Sequence, residues 1–227
     1  MHLSNQIFLW AGLNFEILLS SIFSELFFMD LITLMQNARI KLKPFWPLSV
    51  AVCLVYGILI GGPPELNTYG ELLSILLAGP LQLGLCIFFL KISNGFNPSF
   101  FDLFEGFKPL LNVLLAFVVI NALTVLGFIL LIVPGIIISL GFSMTYYIMA
   151  EDPEIQFYEA LESSWKIMDG NKMELLLLHL RFIPWYLLGL LFFVIGVFLV
   201  VPWHNLCITS YYKLIKQRNN NKIQRTI

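Results

Sequence analysis

Four long runs without a charged residue dominate this sequence and limit what it can fold into. Twenty-one uncharged residues separate Lys43 from Glu65, and 19 separate Glu71 from Lys91. The run from Pro109 to Ala150 is 42 residues long, and that from Phe182 to Tyr212 is 31. A helix needs about 20 apolar residues to cross the hydrocarbon core, so the first two runs each hold one span. The third is twice that length and is interrupted by Pro134-Gly135. Proline removes a helix donor and glycine tolerates turn geometry, which predicts two helices there. The fourth, counted back to Met173, again holds two, with a turn predicted near Val194 to Gly196. Six spans result, at about 45–62, 72–93, 110–132, 135–150, 174–193 and 196–215.

Composition agrees. Hydrophobic residues make up 59% of the chain and charged residues 12%, against about 25% charged in soluble proteins. The mean hydropathy is +0.85, and 21 Phe residues exceed what one small core hides. A soluble enzyme, a disordered chain and a nucleic-acid binder, which needs clustered basic charge, are excluded. The net charge of −1 conceals how the charges are placed. Arg39, Lys41 and Lys43, then Lys91 and Lys108, then Lys166 and Lys172, then Lys213, Lys216, Arg218, Lys222 and Arg225 all fall on one side of a six-span arrangement. The opposite loops (62–71, 133–135 and 194–196) carry no Lys or Arg, and Arg181 alone falls inside a span. By the positive-inside rule both ends of the core are then cytoplasmic, whereas five spans would put the basic tail outside.

The first 28 residues fit poorly. Ile7 to Phe28 is hydrophobic but contains Asn14, Glu16 and Glu25, and no Lys or Arg precedes Arg39. A carboxylate at the bilayer centre costs roughly 2.5–3.5 kcal/mol unless paired or protonated. The segment reads as a weakly inserting extra span, an interfacial segment, or an upstream extension with the true start at Met29. The last is favoured, because a basic amphipathic lead-in begins there. The chain thus divides into 1–28, a six-span membrane domain over 29–215, and a basic polar cytoplasmic tail over 216–227.

A unit recurs three times from Met29 onward: an amphipathic helix, then a membrane hairpin. In the third copy Asp152 suits an N-cap, Pro153 the first helical position and Gly170 the stop. Ile155, Tyr158, Leu161, Trp165 and Met168 recur at spacings of three or four residues as a candidate interfacial stripe. The second copy opens at Asn97-Pro98 and closes at Glu105-Gly106. The first uses Leu31, Leu34, Met35, Ala38 and Leu42. Each return helix carries a proline (Pro80, Pro134, Pro202) and later an aromatic pair (Phe88-Phe89, Tyr146-Tyr147, Tyr211-Tyr212). Such helices either lie at the headgroup level with their aromatics in lipid or pack on the bundle's own cytoplasmic ends.

Several of these residues carry a resemblance. Val133-Pro134-Gly135-Ile136-Ile137, Ser143-Met144, Tyr147 to Pro153, Glu159-Ala160 with Ser164, and Met168 to Lys172 are among them. Phe182 to Trp185, Leu187-Leu188, Gly196, Pro202-Trp203 and Tyr211-Tyr212 complete the set. Together with the amphipathic opening Met29 to Trp46, they resemble an uncharacterised bacterial integral-membrane family, domain of unknown function 975. This chain has Arg181, Pro184 and Trp203 where that family tends to have Ser, Gly and Tyr. The resemblance implies an all-α polytopic fold of six transmembrane helices in three hairpins, each preceded by a cytoplasmic amphipathic helix, in the bacterial inner membrane. It implies no activity.

Chemistry is sparse. Cys53, Cys86 and Cys207 lie far apart without CxxC spacing, and His2, His179 and His204 are too scattered for a histidine-ligated iron. No catalytic, cofactor or metal site is therefore expected. Acids at Glu151, Asp152, Glu154, Glu159 and Glu162 suit a helix N-terminus better than a cation site. The one unusual constellation is intramembrane: His179 and Arg181 on the fifth span, His204 and Asn205 on the sixth, Asn121 on the third. The expected role is non-enzymatic membrane organisation, sensing or protection through the interfacial helices. The alternative is a small-solute or lipid transporter with a polar site between the third, fifth and sixth spans. Expected partners are the bilayer and a homo-oligomer or other membrane proteins, and no nucleic acid.

Overall fold

The computed structural model describes residues 31–61, 68–191 and 195–226. The chain forms two compact units, Met1–Asn37 and Ala38–Ile227. The predicted segment 1–28 lies outside the described residues. All regular structure among those residues is helical. In order the elements are α1 (31–42), a 3-10 turn at Lys43–Phe45, α2 (Trp46–Gly61), α3 (Thr68–Ser93) and α4 (Asp102–Glu105). There follow α5 (Leu110–Leu130), α6 (Ile132–Gly141), α7 (Thr145–Glu151), α8 (Phe157–Ile167), α9 (Lys172–Leu191) and α10 (Ile195–Thr226).

Among the described residues, five stretches are long and apolar enough to cross a membrane: Leu31–Gly61, Ser74–Ser93, Leu110–Leu130, Ile132–Glu151 and Lys172–Leu191. The first is longer than expected. Pro44 sits at the start of the 3-10 turn, where its missing N–H breaks no helical bond, so the chain stays helical from α1 into α2. The segment 196–215 is helical, within α10, but it is not among the five. Pro202, His204, Asn205, Thr209 and Ser210 dilute its apolar character.

The third long run does fold as two membrane-length stretches, α5 and α6–α7, the second itself interrupted at 142–144, but the break between them comes before the proline. Leu131 is extended, at φ −166° and ψ 157°, and α6 starts at Ile132. Pro134 thereby occupies the first turn of α6, where a helix has spare N–H groups and a fixed proline φ is favourable. The hairpin closes tightly at its glycines: a Cβ on Gly127 would lie 2.9 Å from the Gly135 Cα. In the α9–α10 hairpin a Cβ on Gly189 would lie 2.8 Å from the Gly196 carbonyl carbon. Small residues let membrane helices approach backbone to backbone, which suits hairpins that gain little from water exclusion.

The core lies where the return helices meet. α3 packs against α2, α5, α7 and α10. All three repeated aromatic pairs are buried there: Phe88 and Phe89, Tyr146 and Tyr147, Tyr211 and Tyr212. Tyr147 stacks on Tyr212 with centroids 5.3 Å apart, and the Thr209 hydroxyl donates to the Tyr147 oxygen at 3.4 Å. Outer faces are apolar instead; Leu111, Val118, Val125, Ile129 and Leu187 are exposed. In the part of α1 that belongs to the Ala38–Ile227 unit, Ala38 and Leu42 are buried.

The short segments between hairpins dock on the helices beside them. Asp152 does not cap α8. Its carboxylate accepts the Glu154 N–H at 3.1 Å and closes a turn, and the helix starts later, at Phe157. The capping comes from a distant side chain. Asn112, at the start of α5, accepts the Phe157 N–H at 2.7 Å and donates to the Ile155 carbonyl at 2.6 Å. Ser164 of α8, wholly buried, donates to the Gly141 carbonyl at 2.8 Å and accepts the Met144 N–H at 3.2 Å, covering the break between α6 and α7. Gly170 stops the segment with φ +74°, as predicted. The second copy is only α4, seated on α3: a Cβ on Gly84 would collide with the Leu103 carbonyl.

Candidate functional site

Two polar assemblies stand out, one within the last hairpin and one at the charged helix ends. The first brings together part of the predicted intramembrane constellation. Nδ1 of His179 on α9 lies 3.0 Å from Nε2 of His204 on α10, and the Tyr186 hydroxyl lies 2.8 Å from the other nitrogen of His204. A neutral imidazole offers one N–H and one lone pair. The chain Tyr186–His204–His179 can therefore run in either direction with every contact satisfied. Tyrosine donates at one end, or both histidines switch tautomer and tyrosine accepts. Phe182, 4.4 Å from the His204 ring centre, and Trp203, 5.0 Å from Phe182, form the aromatic surround. Trp185 abuts Trp203 at 5.3 Å.

The other predicted members go elsewhere. Arg181, half-buried, follows His179 by two residues; at 3.6 residues per turn it leaves α9 on about the opposite side. Asn205 donates to the Val201 carbonyl of its own helix at 3.0 Å. Asn121 is exposed on α5 and donates to Phe117, also in its own helix, at 2.8 Å. Tyr186 was missing from the predicted set because an aromatic on an apolar helix carries no distinguishing pattern; its spacing of seven from His179 was the available signal. Of the predicted interfacial stripe on α8, Leu161 and Met168 are buried, Ile155 is half-buried, and Tyr158 and Trp165 are exposed. Cys53, Cys86 and Cys207 are separate, buried thiols. No group of three or more His, Cys, Asp or Glu among the described residues is placed to hold a metal ion.

The second assembly is ionic, and it gathers groups far apart in sequence. Lys91 at the end of α3 pairs with Asp102 at 2.8 Å and Glu105 at 3.5 Å on α4. Asp102 is buried and also accepts the Ser99 N–H at 2.8 Å. Glu151, ending α7, is bonded by Lys216 and by the Tyr212 hydroxyl of α10. Glu174, in the first turn of α9, accepts from one guanidinium nitrogen of Arg218 at both carboxylate oxygens, at 2.9 and 3.1 Å, and from the Tyr211 hydroxyl at 3.2 Å. Lys213 donates to Asn94 Oδ1 at 2.6 Å, while Lys41 reaches the Ser93 carbonyl at 3.1 Å. Between the ends of α3, α7 and α10 and the start of α5 lies a cavity of about 600 Å³. Leu83, Ile87, Leu90 and Met149 line it, together with Lys91, Glu105, Lys108, Glu151 and Lys216.

The ionic assembly and the histidine chain are both built largely from the second half of the sequence. Residues 111–219 match a family described as protein of unknown function, DUF975. That stretch of the chain belongs to it. The DUF975 region holds α6 to α9 entire, nearly all of α5, and α10 as far as its charged turns, so the Tyr186–His204–His179 chain, Ser164, and the pairs of Glu151 and Glu174 all fall inside it. The α3–α4 wall of the cavity falls outside it. No curated protein and no solved structure matches the chain.

Proposed function

We propose that this DUF975 protein is a non-enzymatic integral protein of the bacterial inner membrane, with six spans and both ends of its core in the cytoplasm. It organises or protects the bilayer from the cytoplasmic side. The observation that carries this reading is the distribution of charge. Cations and carboxylates of α3, α4, α7, α9 and α10 pair with one another at one end of the bundle. The outer faces of α5 and α9 are apolar. On this reading α10 supplies the sixth span, its polar residues turned toward α9 and the core.

Impermeant thiol labelling of intact cells tests the topology. Asn67→Cys and Phe193→Cys should label from outside; Asn97→Cys and Gln224→Cys should label only after permeabilisation. Labelling of Gln224→Cys in intact cells overturns the six-span reading. The transporter alternative draws on one observation, the hydrogen-bonded His179–His204 pair. On that alternative, proteoliposomes should show solute or lipid flux that His204→Leu abolishes.

A further inference from the structure

The cavity among the charged helix ends has a composition that narrows what it accepts. Three of its lining residues are cations, Lys91, Lys108 and Lys216, and two are carboxylates, Glu105 and Glu151. Asp102, bonded to Lys91, brings the local balance to three against three. The site therefore has no net attraction for an anion or for a cation. It offers both signs within one small volume, which is complementary to a zwitterion.

The floor has a different chemistry. Leu83, Ile87 and Leu90 recur on one face of α3, running from Lys91 back into the apolar part of that helix. Phe96, which also lines the cavity, is 65% exposed. A volume of about 600 Å³ lies within the range of about 300–1,000 Å³ typical of small-molecule sites.

We infer that this cavity binds the headgroup of a phospholipid carrying a primary ammonium and a phosphate, a phosphoethanolamine head, whose methylenes meet Ile87 on the cavity floor. The inference rests on the membrane orientation proposed above. The loosest charge pair in the wall is the one that recruits it: Glu105 is 3.5 Å from Lys91 and 4.0 Å from Lys108, and the Lys108 side chain is 76% exposed. Lys108 turns to the phosphate, and Glu105 accepts N–H bonds from the ammonium. A trimethylated choline head has no N–H to donate, and a glycerol head is anionic, so both match less well.

The full-length protein, reconstituted in nanodiscs of equal parts phosphatidylethanolamine, phosphatidylcholine and phosphatidylglycerol, is extracted and its retained lipid quantified. Phosphatidylethanolamine should be enriched over both others. Lys108→Ala and Glu105→Gln, at positions that take little part in the core, should each lower that enrichment about tenfold, the weight of one charge-assisted hydrogen bond. Ile87→Trp, which fills the floor, should lower it without removing a charge. Equal retention of the ethanolamine and choline lipids, a preference for phosphatidylglycerol, or variants that retain as much as wild type would overturn the inference. Binding of soluble phosphoethanolamine without lipid enrichment would also overturn it. Thiol labelling reads orientation and this assay reads selectivity, so the two proposals fail separately.

Discussion

Asn112 does for α8 what no residue next to that helix does. The first turn of a helix has N–H groups without intrahelical acceptors, and a local Ser, Asp or Asn usually covers one of them. Gln156 makes no such bond, and the Asn112 amide, 45 residues earlier, takes the Phe157 N–H instead. Asn112→Ala should destabilise the protein by about 1–3 kcal/mol, because two part-buried backbone groups lose their partner together. Denaturation in mild detergent followed by tryptophan fluorescence reads this. Asn112→Asp should recover part of the loss, since a carboxylate still accepts from Phe157 but cannot donate to Ile155. Nothing in the sequence marks Asn112 apart from Asn121, which bonds only within its own helix. The difference lies in which side of α5 meets α8, and helical spacing alone cannot supply that.

Among the elements, the segments between hairpins are packed parts of the bundle. α4 approaches α3 so closely that only glycine fits at Gly84, facing the Leu103 carbonyl, and at Gly106, where a Cβ would collide with the Pro80 carbonyl oxygen. Gly84→Ala should separate α4 from α3. Forcing atoms into a filled site costs about 1–3 kcal/mol, and here the obstacle is backbone, which cannot swing aside. Limited proteolysis within 96–108 should accelerate in Gly84→Ala while cleavage in the α10 tail stays unchanged; equal rates would show that α4 is not held by this contact. The sequence did indicate the α8 segment, through the spacing of its apolar residues and the stop at Gly170. It misplaced the start of α8, because Asp152 closes a turn with Glu154 and the chain needs Asn112 before it can enter the helix.

For the whole molecule, charge at one end ties the C-terminal turns of α10 to the bundle. Lys216 meets Glu151 of α7, and Arg218 meets Glu174 of α9. Both pairs are only partly buried, so solvent and salt still screen them and each contributes no more than about 1 kcal/mol. Glu174→Gln should therefore leave global stability nearly unchanged, yet hydrogen exchange over 217–226 should speed up, as it should in wild type at high salt. Unchanged exchange would show that the helix beyond Tyr212 stands without these anchors. The helical, membrane character of the chain and the halves of its third long run were determined by the sequence alone. Uncharged runs of 20 to 40 residues leave the backbone little choice but to bond internally as helix. The three aromatic pairs were visible as a recurrence, but they follow their prolines at unequal distances, and their burial came only from the packing of α3, α7 and α10. Tertiary structure alone decided which polar residues meet. Tyr186 joins His179 and His204, whereas Arg181 and Asn121 leave their helices in other directions. It also decided that carboxylates of α4, α7 and α9 close on lysines and an arginine up to 65 residues away in sequence. The physical reason is the same in both cases. Hydrophobicity and helical hydrogen bonding are local and can be read along the chain, whereas side-chain pairing depends on how each helix is rotated in the bundle, and that is set by the close approaches its neighbours allow.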